Sequence, residues 1–154
     1  MNEKIEIMIK DYSRTGSFEI DFSKDEIFPL LCPKMEEKWI PNWECKVLFS
    51  LNGYNETGAV FKTEKAFGTE LIWYTNMYDK DKGKVEFTNF SNDLIFNFII
   101  YIHQISTSKC KLDFIHKFKA LSNKGIGLIN LYQSEDFQDK LLGLGRLMTI
   151  YLKK

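Results

Sequence analysis

Few residues of this 154-residue chain carry chemistry scarce enough to follow one by one: two histidines, two arginines, three cysteines and three tryptophans. His103 and His116 are the side chains whose ordinary titration falls near neutrality. Neither has a companion that would make it catalytic by spacing alone. There is no glycine-rich phosphate loop, no Cys or His pair at metal-ligand spacing and no nucleophile elbow. Arg14 and Arg146 fall outside the strand faces expected to point inward, so no acid-base set is visible. Cys32, Cys45 and Cys110 are odd in number, which argues against a disulfide framework and for small buried hydrophobes in a reducing cytoplasm. Three roles are open to His116: a satisfied histidine of the core, a polar anchor for a ligand in an apolar pocket, or a general acid-base.

The elements that position these groups can be read from periodicity. Residues 4 to 10 alternate Ile5, Ile7 and Ile9 against Lys4, Glu6, Met8 and Lys10, which is the period of a half-buried strand continuing to Ile20 through a bend at Thr15 and Gly16. Ser23 followed by Glu26 makes a capping box, so a helix starts there; Pro29 kinks or shortens it and it ends by Pro33, with a second short helix from Lys34 to Trp39. From Cys45 to Lys119, turn signals about ten residues apart mark six strands of an antiparallel meander, near 44–50, 57–65, 69–78, 84–90, 94–105 and 109–121. The last shows lysines on one face and Cys110, Leu112, Phe114, His116 and Phe118 on the other, so His116 points inward. A two-residue turn at Thr107 and Ser108 would pair Ile99 with His116 and send His103 inward beside Tyr101 and Asn97. A three-residue turn would instead send Phe96, Phe98, Ile100 and Ile102 inward, because a slip of one residue inverts every side chain. In either case apolar side chains remain on the outer face of residues 94 to 105, which favours a homodimer or another partner contact. After Ser122 the period becomes helical. Ser134 is the expected N-cap of a long amphipathic helix whose stripe is Phe137, Leu141, Leu144, Met148, Tyr151 and Leu152, with Asp136, Gln138, Asp139 and Arg146 opposite. Gly125, Gly127, Gly143 and Gly145 mark a bend or a close approach to the sheet.

Composition narrows the function classes. With 44% hydrophobic residues the chain can bury a core as one domain without a metal or disulfide staple. Lysine plus arginine and aspartate plus glutamate balance at 21 each, and the lysine face of the last strand lacks arginine and interleaved exposed aromatics, which argues against nucleic acid. No run is long enough to insert in a membrane, and the N-terminus lacks the apolar region of a signal peptide.

The most distinctive stretch is F-P-L-L-C-P-K-M-E-E-K-W-I-P-N-W-E-C, residues 28 to 45, which holds all three prolines and two of the three tryptophans. A strand, two short helices, a six-strand meander and a long helix can bury the helix stripe only across the concave face of one curved sheet. In that order the whole chain resembles the START-like superfamily, or SRPBCC proteins, and its stretch F28-P29-L30-L31-C32-P33 with E36 and W39-I40-P41-N42-W43 is similar to an uncharacterised bacterial branch. Supporting matches are G58-A59-V60-F61-K62-T63, W73, Y78-D79 and A120-L121-S122. Asn42 stands where that pattern has glycine, and asparagine also accepts a left-handed backbone. The resemblance implies an α+β helix-grip fold, a seven-stranded antiparallel sheet wrapped around the C-terminal helix with two short helices after the first strand. It also implies a cavity for a small apolar or aromatic molecule, without metal or cofactor. The residues placed to line it are Trp39, Trp43, Phe61, Trp73, Tyr101, Phe114, His116, Phe118, Phe137, Leu141, Leu144 and Met148. Ligand binding without catalysis is the leading expectation. An aromatase/cyclase-type enzyme and a chaperone-activator-like interaction module are the alternatives.

Overall fold

The computed structural model describes residues 10 to 154; the strand expected over residues 4 to 9 lies outside them. Strand β1 (Asp11–Ile20) begins the described chain. Tyr12, Arg14, Gly16, Phe18 and Ile20 share its inner face in strict alternation, so the bend at Thr15 and Gly16 does not change the phase. The short helix α1 (Lys24–Ile27) starts as expected. The Ser23 side chain accepts from the Glu26 N–H and the Glu26 carboxylate accepts from the Ser23 N–H. At Pro29 the chain tightens into a 3-10 turn, Phe28–Leu30, and a second 3-10 turn, Met35–Lys38, precedes Trp39. Asn42 adopts the left-handed conformation, with φ of 62°.

Strands β2 (Lys46–Phe49), β3 (Val60–Thr63), β4 (Leu71–Asp79), β5 (Lys84–Phe90), β6 (Leu94–Ser106) and β7 (Lys109–Ala120) form the meander. The sheet is antiparallel in the order β1-β7-β6-β5-β4-β3-β2. Neither simple turn describes the β6–β7 corner. Ser106 faces Lys109 across the two residues Thr107 and Ser108, but a bulge at Ile105 then shifts the register, so that Gln104 faces Cys110 and Phe98 faces His116. The extra residue turns Phe96, Phe98, Ile100 and Ile102 inward. Tyr101 and His103 are thereby carried to the outer face, where they stack on one another and His103 Nε2 lies 2.9 Å from Asp113. Of the outer apolar residues of β6, Ile95 and Ile105 are exposed.

The C-terminal segment is two helices. Helix α2 (Asn123–Ser134) is capped by Ser122, whose hydroxyl accepts from the Gly125 N–H at 3.1 Å and donates to Asp93 at 2.6 Å. The chain then turns extended at Glu135 and Asp136, and α3 (Phe137–Leu152) begins. Its N-cap is Asp136, which accepts from the Asp139 N–H. Ser134 ends α2 instead, its hydroxyl donating to the Leu131 carbonyl. Helix α3 lies on β1 and α2 on the end of β7. Gln138 is exposed on α3, and its amide exchanges two hydrogen bonds with the Ser17 backbone.

Two glycines of α2 separate close approach from simple propensity. A Cβ on Gly125 would stand 2.0 Å from the Asp93 carbonyl oxygen, whereas one on Gly127 would meet nothing within 4 Å. Gly125→Ala is expected to destabilise by about 2 kcal/mol, because backbone must move to admit the methyl. Gly127→Ala should stabilise by about 1 kcal/mol through helix propensity. Opposite shifts in urea midpoint would bear this out, and equal shifts would refute it.

Candidate functional site

Between the concave face of the sheet, α3 and the 3-10 turns lies a cavity of about 910 Å³. Trp39, Trp43, Trp73, Phe114, His116, Phe137, Leu141, Leu144 and Met148 line it, as placed from the sequence. Three of the sequence-placed residues do not. Phe61 and Phe118 point inward but are fully packed behind the wall, and Tyr101 is on the other side of the sheet because of the Ile105 bulge. Phe98 and Ile100 take the place that Tyr101 would have had, and Phe67 joins them from the β3–β4 turn. Phe67 reaches over the sheet to pack edge-on against Phe96 and close to Trp73.

The three indole N–H groups are already spent. Trp39 donates to the Leu30 carbonyl at 3.2 Å, Trp43 to the Pro33 carbonyl at 2.7 Å and Trp73 to the Thr63 hydroxyl at 2.9 Å. These bonds fix the rings, so the tryptophans present apolar surface to the cavity.

Arg14 is the main correction to the sequence reading. It faces inward from β1, is 8% exposed, and stands directly opposite His116 across the β1–β7 pair. Its Nε donates to His116 Nδ1 at 3.2 Å, and its Nη1 donates to the Tyr132 carbonyl at 3.2 Å and to Glu135 Oε1 at 3.1 Å. The guanidinium also lies over the Phe137 ring, 4.2 Å from its centre. Lys140 Nζ reaches the second Glu135 oxygen at 2.5 Å. Burial alone would raise the Glu135 carboxyl, but the hydrogen bonds from Lys140 and Arg14 hold it below its ordinary value. The regular alternation of Tyr12, Arg14, Gly16, Phe18 and Ile20 was the signal for Arg14.

His116 is 4% exposed and wrapped by Phe96, Phe98 and Phe137, with ring centres 4.3 to 4.9 Å away. Burial, and then the charges of Arg14 and Lys140, push its pKa well below the usual histidine value. The imidazole is therefore neutral. An arginine Nε can only donate, so Nδ1 is the acceptor and Nε2 carries the hydrogen, and that N–H has no partner among the described residues. Among the described residues no group of three His, Cys, Asp or Glu could hold a metal ion.

Asn42, Glu44, Glu64, Lys65 and Lys140 also line the cavity, and so does Glu36. Glu36, in the turn Met35–Lys38, is half-buried and lines the cavity. Burial raises its pKa well above the ordinary carboxylate value. Its position three residues before Trp39, on the same side of a short turn, was the available signal.

No family model matches the sequence, and no curated protein matches it. Solved structures do. Norcoclaurine synthase from Thalictrum flavum, in complex with dopamine and hydroxybenzaldehyde, superposes with a TM-score of 0.67 at 9% identity over 96% of this chain and 90% of that one. An aromatase/cyclase from a Streptomyces species gives 0.68 at 8% identity over 94% and 95%. An uncharacterised protein from Bacillus thuringiensis gives 0.59 at 14% identity over 90% and 99%. The chain has the helix-grip fold of these structures. Helix α3 meets the sheet at β1, and Leu141, Leu144 and Met148 of its stripe line the cavity together with Trp39 and Trp43.

Proposed function

We propose that this protein binds one small apolar or aromatic molecule in the cavity between sheet and α3, without chemistry of its own. The observation that carries the reading is a cavity of about 910 Å³, walled by three tryptophans whose N–H groups are all occupied, with the Arg14 and Lys140 cations of its wall already held by Glu135. That is the volume and lining of a site for a drug-sized apolar ligand. The helix-grip proteins it superposes on include an enzyme solved with dopamine and hydroxybenzaldehyde, which supports an aromatic occupant. A module acting only through its outer face needs no such interior, so the cavity weighs against the chaperone-activator alternative. Nothing in the site favours a cyclase: His116 is neutral, enclosed and coupled to a guanidinium rather than to a base. Its part is to furnish a fixed polar edge in an apolar wall. Among the described residues no helix is long and apolar enough to cross a membrane. Three buried free thiols suit a reducing cytoplasm, where we place the protein.

Calorimetric titration with naphthalene tests this. Saturable binding is expected for the wild type, and Leu144→Trp, which fills the cavity from α3, should weaken it at least about tenfold while leaving the melting temperature within a few degrees. Absence of saturable binding by the folded wild type would sink the reading.

A further inference from the structure

His116 and Arg14 each keep a donor that the fold does not use. The imidazole rises from the inner face of β7, and Nδ1, next to the ring carbon that carries the main chain, is taken by Arg14 Nε. Nε2 is at the far end of the ring, off the sheet, and its N–H has no partner among the described residues. In the guanidinium, Nε and Nη1 serve His116, the Tyr132 carbonyl and Glu135, while Nη2 makes no hydrogen bond among the described residues. Nη2 shares with Nε the edge that faces the imidazole. Both residues are buried and both line the cavity. Unpaired donors so enclosed are costly, and an acceptor brought into the cavity relieves them.

Charge narrows the kind of acceptor. Arg14 and Lys140 share one carboxylate, Glu135, and the imidazole is neutral because its Nδ1 accepts from Arg14. One positive charge is therefore left over at this wall. The other donors of the cavity, Asn42, Lys65 and Lys140, are exposed, so a ligand there would only replace water, and the three indole N–H groups are occupied. The remaining acids, Glu36, Glu44 and Glu64, come from the turn Met35–Lys38, from the loop before β2 and from the end of β3, and the sheet order sets β2 and β3 apart from β1 and β7.

We infer that the bound molecule is an organic acid, an aromatic or apolar frame whose carboxylate accepts from His116 Nε2 and Arg14 Nη2. This rests on the ligand-binding reading above and names the class of its ligand. A guanidinium already oriented by three acceptors gives a carboxylate charge-assisted bonds, about twice as strong as those to a neutral oxygen. The frame occupies the apolar remainder of the cavity.

The test compares naphthoate with isopropylnaphthalene, substituted at the same ring position, on the full chain at neutral pH. The wild type is expected to bind the acid at least about tenfold more tightly than the hydrocarbon, the worth of a hydrogen bond to a charged group, and the two should compete. In nitrogen NMR of the labelled protein, the proton-bearing Nε2 of His116 should shift when naphthoate is added and stay in place with the hydrocarbon. His116→Phe, a ring without the N–H, should cut the preference at least about threefold while still binding the hydrocarbon, which also shows that it folds. If the wild type binds the hydrocarbon as tightly as the acid, the organic-acid assignment is wrong and the ligand-binding reading survives. Naphthoate binding that leaves the His116 nitrogens unmoved puts the carboxylate elsewhere and overturns the assignment to Arg14 and His116. If neither probe binds, this inference and the reading beneath it fall together.

Discussion

Arg14→Met is expected to cost the fold about 3 kcal/mol, the low end of what removing one partner of a buried ion pair costs, because Glu135 keeps Lys140 and is 22% exposed at its side chain. For a chain of this size that is a fall in Tm of roughly 6 to 12 °C. Methionine retains much of the packing against Phe137 but leaves Glu135, the Tyr132 carbonyl and His116 Nδ1 each short of a donor. Arg14→Lys should recover less than half of the loss. One ammonium can meet Glu135, but it lacks the planar fork that serves three acceptors at once. The check is the urea midpoint at unchanged slope. A loss under about 1 kcal/mol for Arg14→Met would class the network with ordinary surface pairs.

The second large effect is a pH-dependent gain on replacing Glu36 with glutamine. Its folded pKa is raised above the ordinary 4.5. Between that value and the raised one the native state holds a proton that the unfolded chain releases, so wild-type stability falls as pH rises through this window. Glutamine has no proton to lose. The variant should therefore match the wild type near pH 4.5, become more stable as pH rises, and hold a constant advantage above the folded pKa of Glu36. His116 acts in the opposite direction. Its folded pKa lies below the ordinary 6.5, so the unfolded state takes up the proton first and stability is lost as pH falls below about 6.5. That loss is common to both proteins and cancels in their difference. Equal urea midpoints for variant and wild type at about pH 8 would show that Glu36 is not buried as described.

The amino-acid sequence alone determined the parts of this molecule that depend on local period and on caps. The meander strands, the Ser23–Glu26 box, the left-handed Asn42 and the inward face of β7 with His116 all follow from neighbours a few residues apart. It also determined most of the cavity wall, because Trp39, Trp43, Trp73 and the α3 stripe are apolar residues that a single curved sheet must enclose. Register and buried charge were decided by tertiary structure. A bulge at Ile105 adds one residue to one strand, and it exchanged Tyr101 for Phe98 and Ile100 at the site, since the period of a strand is two. The break at Glu135 set an acid beside two cations from distant positions, Arg14 on β1 and Lys140 on α3. Arg14 belongs inside only because that acid and His116 meet it there. Glu36 reads locally as one charge among Lys34, Glu37 and Lys38 on a wet turn, and only the tertiary packing places it at the cavity wall, where burial raises its pKa.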